Sequence, residues 1–111
     1  MAYNKELSLR IRRCLAGVEG VTDKVMFGGV GFLVNGNMAC GVHGENLIVR
    51  LSAKEGARAL ERPHTRPFDL TGKPMSGWVY VEPEGFAMQA DLQAWVDQGV
   101  AYASSLPPKK P

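Results

Sequence analysis

Asn35 and Gly36 separate two apolar runs, and this dipeptide constrains the fold more than any other part of the sequence. The first run covers residues 25–34 and the second covers residues 37–42, and β-branched side chains occur in both. Asn-Gly readily adopts the two positive φ angles that a type I′ turn requires. The sequence therefore predicts a β-hairpin centred on Asn35 and Gly36.

Two further strands extend this hairpin. A turn at residues 43–46, in which Gly44 can take a positive φ angle, leads into the apolar run 47–51. A fourth apolar run, residues 77–81, stops at Glu82 and Pro83. These segments predict an antiparallel sheet of about four strands, a three-stranded meander plus one.

The register of the hairpin assigns side chains to the two faces of the sheet. A two-residue turn sets Leu33 opposite Met38, and by the same register Gly31 lies opposite Cys40. Side chains alternate along a strand, so one wholly apolar face, expected to be the core, comprises Leu33, Met38, Cys40, Val42, Leu47, Val49 and Leu51. The mixed opposite face comprises Val30, Phe32, Val34 and Ile48, interrupted by Ala39, Gly41 and Arg50.

Three segments have the apolar periodicity of helices, namely residues 4–16, 52–62 and 89–106. Asn4 can cap the first, and Ser52 with Glu55 can form a capping box for the second. The terminal helices are expected to pack on the apolar face of the sheet. The prediction is a single α+β domain over residues 1–106, with an irregular connector at 63–76 and a disordered tail at 107–111.

Size and composition limit the class of protein. A chain of 111 residues, 45% of them hydrophobic, can bury one core without disulfides, and Cys14 and Cys40 are expected to be free thiols in that core. No apolar run approaches the roughly 18 residues of a membrane helix, and the charged N-terminus is unlike a signal peptide. We expect a soluble, cytoplasmic protein. The net charge of +2 is too small to indicate nucleic-acid binding by itself.

No motif in the sequence indicates catalysis or a cofactor. Gly28, Gly29 and Gly31 lead into a strand, whereas a phosphate loop needs a helix N-terminus behind it. Cys40 and His43 have a spacing found in zinc sites, but on a strand they point to opposite faces, and the chain has only two cysteines and two histidines. We therefore expect no catalytic residues, no metal site and no cofactor, and predict that the protein is not an enzyme.

A basic pattern surrounds the middle helix. Lys54, Arg58 and Arg62 recur every four residues, with Arg50 before them and Arg66 after them. On a helix the first three align, so the five residues could form a basic stripe that neutralises several phosphates. A solvated helix surface is the commoner use of such charges, and no aromatic residues are interleaved with them to stack on bases.

Aromatic residues near the connector offer another kind of site. Trp78 and Tyr80 alternate onto one face of the fourth strand, and Arg66 lies in the connector. These residues could line a small-ligand or enzymatic pocket. Core packing is the more frequent role of such side chains.

Three segments resemble the N-terminal domain of the TfoX/Sxy family: residues 25–38, which contain Met-Phe-Gly-Gly, residues 66–68, and residues 72–81, which contain Gly-Trp-Val-Tyr-Val. The resemblance runs from Tyr3 to about Leu106 and implies a small α+β domain of the YjbR-like kind. It also implies a role in bacterial competence regulation, where two-domain members work with the cyclic-AMP receptor protein at particular promoters. Those regulators carry a C-terminal helical domain that this sequence does not include, so a stand-alone domain is expected.

Three functional hypotheses follow. The first is a non-enzymatic regulatory or interaction module, whose surface for a protein partner or for self-association is the mixed sheet face with Phe32, Val34 and Ile48. The second is a nucleic-acid-binding protein that uses the basic stripe. The third is a small-ligand-binding domain or enzyme with a pocket near Trp78 and Tyr80.

Overall fold

The computed structural model describes residues 3–26, 28–68 and 75–109 of the chain. Its α-helices and β-strands are α1 (Lys5–Cys14), β1 (Val21–Met26), β2 (Gly29–Val34), β3 (Asn37–His43), β4 (Asn46–Arg50), α2 (Ala53–Ala59), β5 (Thr65–Pro67), β6 (Trp78–Val81) and α3 (Gln89–Ser105). The strands form one antiparallel sheet in the order β1-β2-β3-β4-β6-β5. The predicted α+β class with terminal helices and a short middle helix is confirmed, but the sheet has six strands where about four were expected.

Side-chain caps begin the first two helices, as the sequence predicts. The Asn4 side chain accepts a hydrogen bond from the Leu7 N–H at 3.0 Å, and the Ser52 hydroxyl accepts one from the Glu55 N–H at 3.1 Å. Each cap satisfies a backbone donor that has no partner within its helix. The first helix ends at Cys14, two residues before the predicted boundary.

The middle helix is also shorter than predicted, because its last turn tightens. α2 ends at Ala59, whereas the sequence pattern predicts a helix through residue 62. The Glu61 and Arg62 N–H groups donate to carbonyls three residues back, those of Arg58 and Ala59. Pro63 then prevents any continuation. Arg62 therefore lies outside the helix that was expected to carry it.

The turn between β2 and β3 has the predicted geometry. Asn35 has a φ angle of 51° and Gly36 a φ angle of 83°, as a type I′ turn requires. Leu33 lies opposite Met38, which is the register expected from a two-residue turn. The turn at residues 44–45 joins β3 to β4 and sets Cys40 opposite Val49, which puts both on one face as predicted.

Beyond the first pair, the hairpin departs from the prediction. Cys40 lies opposite Phe32, one residue away from its predicted partner, because Ala39 is an additional residue of β3 with no partner in β2. Such a β-bulge reverses the alternation of one strand relative to the other. The assignment of Val30, Phe32 and Val34 to the face opposite Cys40 is therefore wrong.

Helices α1 and α3 pack on the face that carries Cys40, which we call the helix face. Its core comprises Leu7, Ile11 and Leu15 of α1, Leu92, Trp95 and Val96 of α3, and Val30, Phe32, Cys40, Val42, Leu47, Val49, Val79 and Val81 of the strands. Removal of this apolar surface from water is the main source of stability. Leu33 and Met38, predicted to be core, are only half-buried and lie on the other side of the sheet, which we call the second face.

The sequence pattern does not predict β1 or β5, the two edge strands. Residues 25 and 26, assigned to the first strand of the hairpin, belong to β1, and Gly28 with a φ angle of 75° lies before β2. β1 carries charged residues at its centre, and β5 has only three residues. An edge strand covers less apolar surface than a central one, so its sequence signal is weak.

The chain beyond α3 packs against the turn between β2 and β3. The Lys109 N–H donates to the Asn35 carbonyl at 2.8 Å, and the Asn37 side-chain amide donates to the Pro107 carbonyl at 3.0 Å. These hydrogen bonds place residues 107–109 against the turn, within the segment 107–111 that the sequence predicts to be a disordered tail. Residues 110 and 111 lie outside the described part of the chain.

Gly99 of α3 packs directly on the bulge, and its replacement tests this contact. A Cβ atom at Gly99 would lie 3.1 Å from the Ala39 carbonyl carbon and still closer to its oxygen. We expect Gly99→Ala to lower the free energy of unfolding by about 1–3 kcal/mol in urea denaturation, although alanine is favoured over glycine within a helix.

Gly17→Ala is the matched control, because a Cβ atom at Gly17 has no neighbour within 4 Å among the described residues. Its effect should stay within about 0.5 kcal/mol. Equal stability of Gly99→Ala and the wild-type protein would contradict a close contact between α3 and the bulge.

Candidate interaction surface

The second face of the sheet carries an aromatic cluster of His43, Phe68, Trp78 and Tyr80. The Phe68 ring is central, and its centroid lies 5.2 Å from that of Tyr80, 5.8 Å from that of Trp78 and 6.3 Å from that of His43. Ile48 of β4 lies opposite Tyr80 of β6 and is buried with Phe68 and Tyr80. The cluster is thus a second, smaller core on the face that α1 and α3 do not cover.

A hydrogen bond joins the Tyr80 hydroxyl to Nδ1 of His43 within this cluster. Tyr80 is 8% exposed, and burial raises the pKa of its hydroxyl above the ordinary value of about 10, an effect that the Arg66 guanidinium opposes. His43 is half-buried at the end of β3. The bond therefore occupies one ring nitrogen of His43 and holds the imidazole against the sheet.

Two arginines lie over rings of the second face. The Arg66 guanidinium carbon is 4.5 Å from the Tyr80 ring centroid, and the Arg50 guanidinium carbon is 5.5 Å from the Trp78 centroid. Strand pairing sets each arginine directly opposite its ring. Arg66 Nε also lies 3.7 Å from Glu82 Oε2. We call Arg50, Arg66, Trp78 and Tyr80 the cation–aromatic surface.

The structure does not assemble the predicted basic stripe. Lys54 and Arg58 are exposed on α2, but Arg62 lies beyond the helix, with its guanidinium carbon 4.2 Å from the centroid of Trp95, a core residue of the helix face. Arg66 lies over Tyr80 on the second face, and the Arg50 guanidinium carbon lies within 5.6 Å of the centroids of both Trp78 and Tyr102 of α3. Arg62 and Arg66 are therefore on opposite sides of the sheet, and the five predicted nucleic-acid contacts do not form one stripe.

The predicted partner surface is not formed either. Phe32 and Val34 are 1% and 2% exposed on the helix face, and Ile48 is 5% exposed beneath the aromatic cluster on the second face. The bulge at Ala39 is the cause, since it turns Phe32 and Val34 towards the helices. These three side chains stabilise separate parts of the core and share no surface.

The residues proposed for a small-ligand pocket do come together, but not around a polar cavity. A groove of about 250 Å³ beside Trp78 is lined by Ala53, Ala57, Leu60, Pro67, Met75, Ser76, Gly77 and Trp78. A small-molecule site usually combines an apolar pocket with several convergent polar groups. No charged side chain is among these described lining residues, so the groove does not favour the small-ligand hypothesis.

Neither thiol has the environment of a nucleophile. Cys40 is fully buried, and burial raises its pKa to about 12. Burial and the Asp97 carboxylate raise the pKa of Cys14, which is half-buried. A reactive cysteine needs the opposite shift, because the thiolate is the nucleophile. Within the described residues no three metal ligands come together, and no helix there has the length and apolarity to cross a membrane.

His43 and Phe68 belong to the aromatic cluster although no sequence pattern indicates this. The contact between His43 and Tyr80 joins residues 37 apart and depends on the strand order β3-β4-β6. The alternation of Trp78 and Tyr80 is the one local signal of this site. Its other members could be found only from the pairing of distant strands.

Comparison with known families gives a match over most of the chain. The family model described as the TfoX N-terminal domain matches residues 13–103. This range includes all six strands, α2, most of α3 and the whole cation–aromatic surface. No curated protein and no solved structure matches the chain significantly.

Tyr80→Phe tests the hydrogen bond to His43. Loss of the hydroxyl leaves a half-buried ring nitrogen without its partner, and should lower the free energy of unfolding by about 0.5–1.5 kcal/mol at neutral pH. Because the pKa of Tyr80 is raised in the folded state, the unfolded chain releases this proton first, and wild-type stability should fall as the pH rises above about 10. The fall should be smaller for Tyr80→Phe in urea denaturation at increasing pH.

Tyr102→Phe is the control, since it also removes one phenolic hydroxyl and leaves a ring beneath Arg50. At neutral pH it should lower the free energy of unfolding by less than Tyr80→Phe does, because the Tyr102 side chain is more exposed than that of Tyr80. Parallel curves for Tyr80→Phe and the wild-type protein above about pH 10 would contradict a buried, protonated Tyr80 hydroxyl.

Thiol labelling tests the position of β3 in the core. With Cys14→Ser, the remaining Cys40 should not react with a disulfide reagent at mildly alkaline pH until the protein unfolds, because its pKa is about 12 and it is fully buried. With Cys40→Ala, the half-buried Cys14 should react slowly in the folded protein. Rapid labelling of Cys40 in the folded state would contradict its place on the helix face.

Proposed function

The chain belongs to the TfoX N-terminal domain family, and we propose that it is a non-enzymatic regulatory module that acts in transcription by binding a protein partner in the cytoplasm. The observation that carries this proposal is the cation–aromatic surface, on which Arg50 and Arg66 lie over Trp78 and Tyr80. Arg, Trp and Tyr are enriched among the residues that dominate binding energy at protein interfaces. The expected partner offers carboxylates to the arginines and apolar side chains to the half-buried Trp78 ring.

Arg66 is available to such a partner because its present ion pair is weak. Its Nε lies 3.7 Å from Glu82 Oε2, and the two side chains are 51% and 45% exposed. Exposed ion pairs contribute at most about 1 kcal/mol. A partner carboxylate that accepts two N–H groups of the guanidinium away from water binds more strongly. The Tyr80 ring beneath Arg66 restrains the side chain and so reduces the entropy lost on binding.

The chemistry of the described residues supports binding without turnover. Burial raises the pKa of both thiols, Cys14 and Cys40. Nucleophilic catalysis instead relies on an adjacent base or a lowered pKa. The likeness of the chain to competence regulators supports the assignment to transcription, with promoter contact made by the partner.

Nucleic acid is the second candidate, because arginines and aromatic rings do alternate on this surface. Proteins that bind single strands present open ring faces on which bases stack. Tyr80 and Phe68 are 8% and 5% exposed, and Arg66 already covers the Tyr80 ring. This burial favours a protein partner over nucleic acid.

Arg66→Glu in the native cell tests the proposal, with Arg13→Glu as the matched control. Arg13 is an exposed arginine of α1, on the helix side of the sheet. After chemical crosslinking, a partner captured by the wild-type and Arg13→Glu proteins should be depleted about tenfold or more with Arg66→Glu, which corresponds to ~1.4 kcal/mol or more of binding energy. The transcripts of the Arg66→Glu strain should approach those of a strain without the gene.

The same partners and the same transcripts with a folded Arg66→Glu protein would refute the proposal. A DNA titration decides the second candidate. If the purified protein binds DNA with a steep dependence on salt, and Arg66→Glu removes that binding, nucleic acid replaces the protein partner.

A further inference from the structure

The two edges of the sheet are built differently. β5 has three residues and ends in Pro67, whose missing N–H limits pairing with another strand. β1 has six residues and no proline, and among the described strands its single neighbour is β2. β1 therefore offers a long row of backbone groups to a further strand.

Alternate residues of β1 direct their backbone groups away from β2. Met26 lies opposite Gly29, and the even-numbered residues of β1 form its hydrogen bonds with β2. Just before the strand, the Asn35 N–H donates to the carbonyl of Gly20, which is also an even-numbered residue. The outward row consists of the N–H and C=O groups of Val21, Asp23 and Val25.

An apolar side chain in this row, that of Val25, is exposed. Val25 is 70% exposed, and Leu9 of α1 is 55% exposed. An ion pair joins Arg12 of α1 to Asp23 of β1.

We propose that β1 pairs antiparallel with β1 of a second copy of the chain, about a twofold axis at Asp23. This register sets the half-buried Val21 opposite Val25 of the partner subunit, and the symmetry repeats the contact, so the exposed Val25 of each subunit is covered. The two Asp23 carboxylates meet at the axis. Each is paired with Arg12 of its own subunit, which offsets their repulsion.

Registers with the twofold axis at Thr22 or Lys24 do not pair Val21 with Val25. An axis at Thr22 sets Val25 against Glu19 of the partner subunit, and an axis at Lys24 sets two lysines against each other. A second copy of β1 supplies both members of each valine pair from its own sequence. The sequence of β1 therefore favours a second copy as the occupant of this edge.

Disulfide trapping distinguishes the registers. In the proposed dimer Thr22 lies opposite Lys24 of the partner subunit in a non-hydrogen-bonded pair, with Cα atoms about 4.5 Å apart and within reach of a disulfide. In a Cys14→Ser background, an oxidised mixture of Thr22→Cys and Lys24→Cys proteins should give several times more disulfide dimer than either protein alone. More dimer from one variant by itself, or none in the mixture, would overturn the proposal.

Sedimentation velocity provides an independent readout. The wild-type protein should shift from monomer towards dimer at micromolar or higher concentration, because one strand pair is smaller than the ~800 Å² per partner of a standard interface. Val25→Lys should abolish the shift and Met88→Lys should not, since Met88 is 68% exposed but lies at the start of α3. A wild-type protein that stays monomeric, or a Val25→Lys protein that still dimerises, would show that β1 does not pair in this way.

Discussion

The additional residue Ala39 in β3 determines what each face of the sheet contributes. Without the bulge, Phe32 and Val34 would point away from α1 and α3, whereas with it they complete the helix face. α3 depends on the same residue, because Gly99 lets its backbone approach the Ala39 carbonyl closely. Val34, Ala39 and Ala103 are packed together at this contact. One inserted residue thus commits the apolar side chains of β2 to the helix face and leaves the second face to the aromatic cluster.

Arginine side chains cover aromatic rings at the margins of both faces. The pairs are Arg10 on Phe86, Arg12 on Phe32, Arg62 on Trp95, Arg66 on Tyr80, and Arg50 on Trp78 and Tyr102. A guanidinium shields a ring with its flat face while its edge stays hydrated. The charges of these five arginines are therefore distributed over separate rings, one cation to a ring. On the second face, the same pairs also supply the side chains best suited to bind another protein.

We propose two surfaces for contact with other molecules, the cation–aromatic surface and the edge strand β1. They lie apart, because the strand order puts β6 and β5 at one side of the sheet and β1 at the other. A dimer formed through β1 therefore leaves the cation–aromatic surface of both copies open. Two linked copies of one binding surface engage a multivalent partner more tightly than a single copy does. Self-association and partner binding are thus compatible in this fold.

The sequence by itself determined the features whose signals are local. The turn at Asn35 and Gly36, the caps of α1 and α2, the helical periodicity and the α+β class all follow from residues a few positions apart. Only the tertiary structure decided the bulge at Ala39, the faces of β2, the edge strands and the residues that contact His43. The bulge is packed against Gly99, sixty residues further along the chain, and the partners of His43 lie on β6 and beside it. Contacts between residues so far apart in the sequence have no local pattern, because they form when separate elements pack around a shared core.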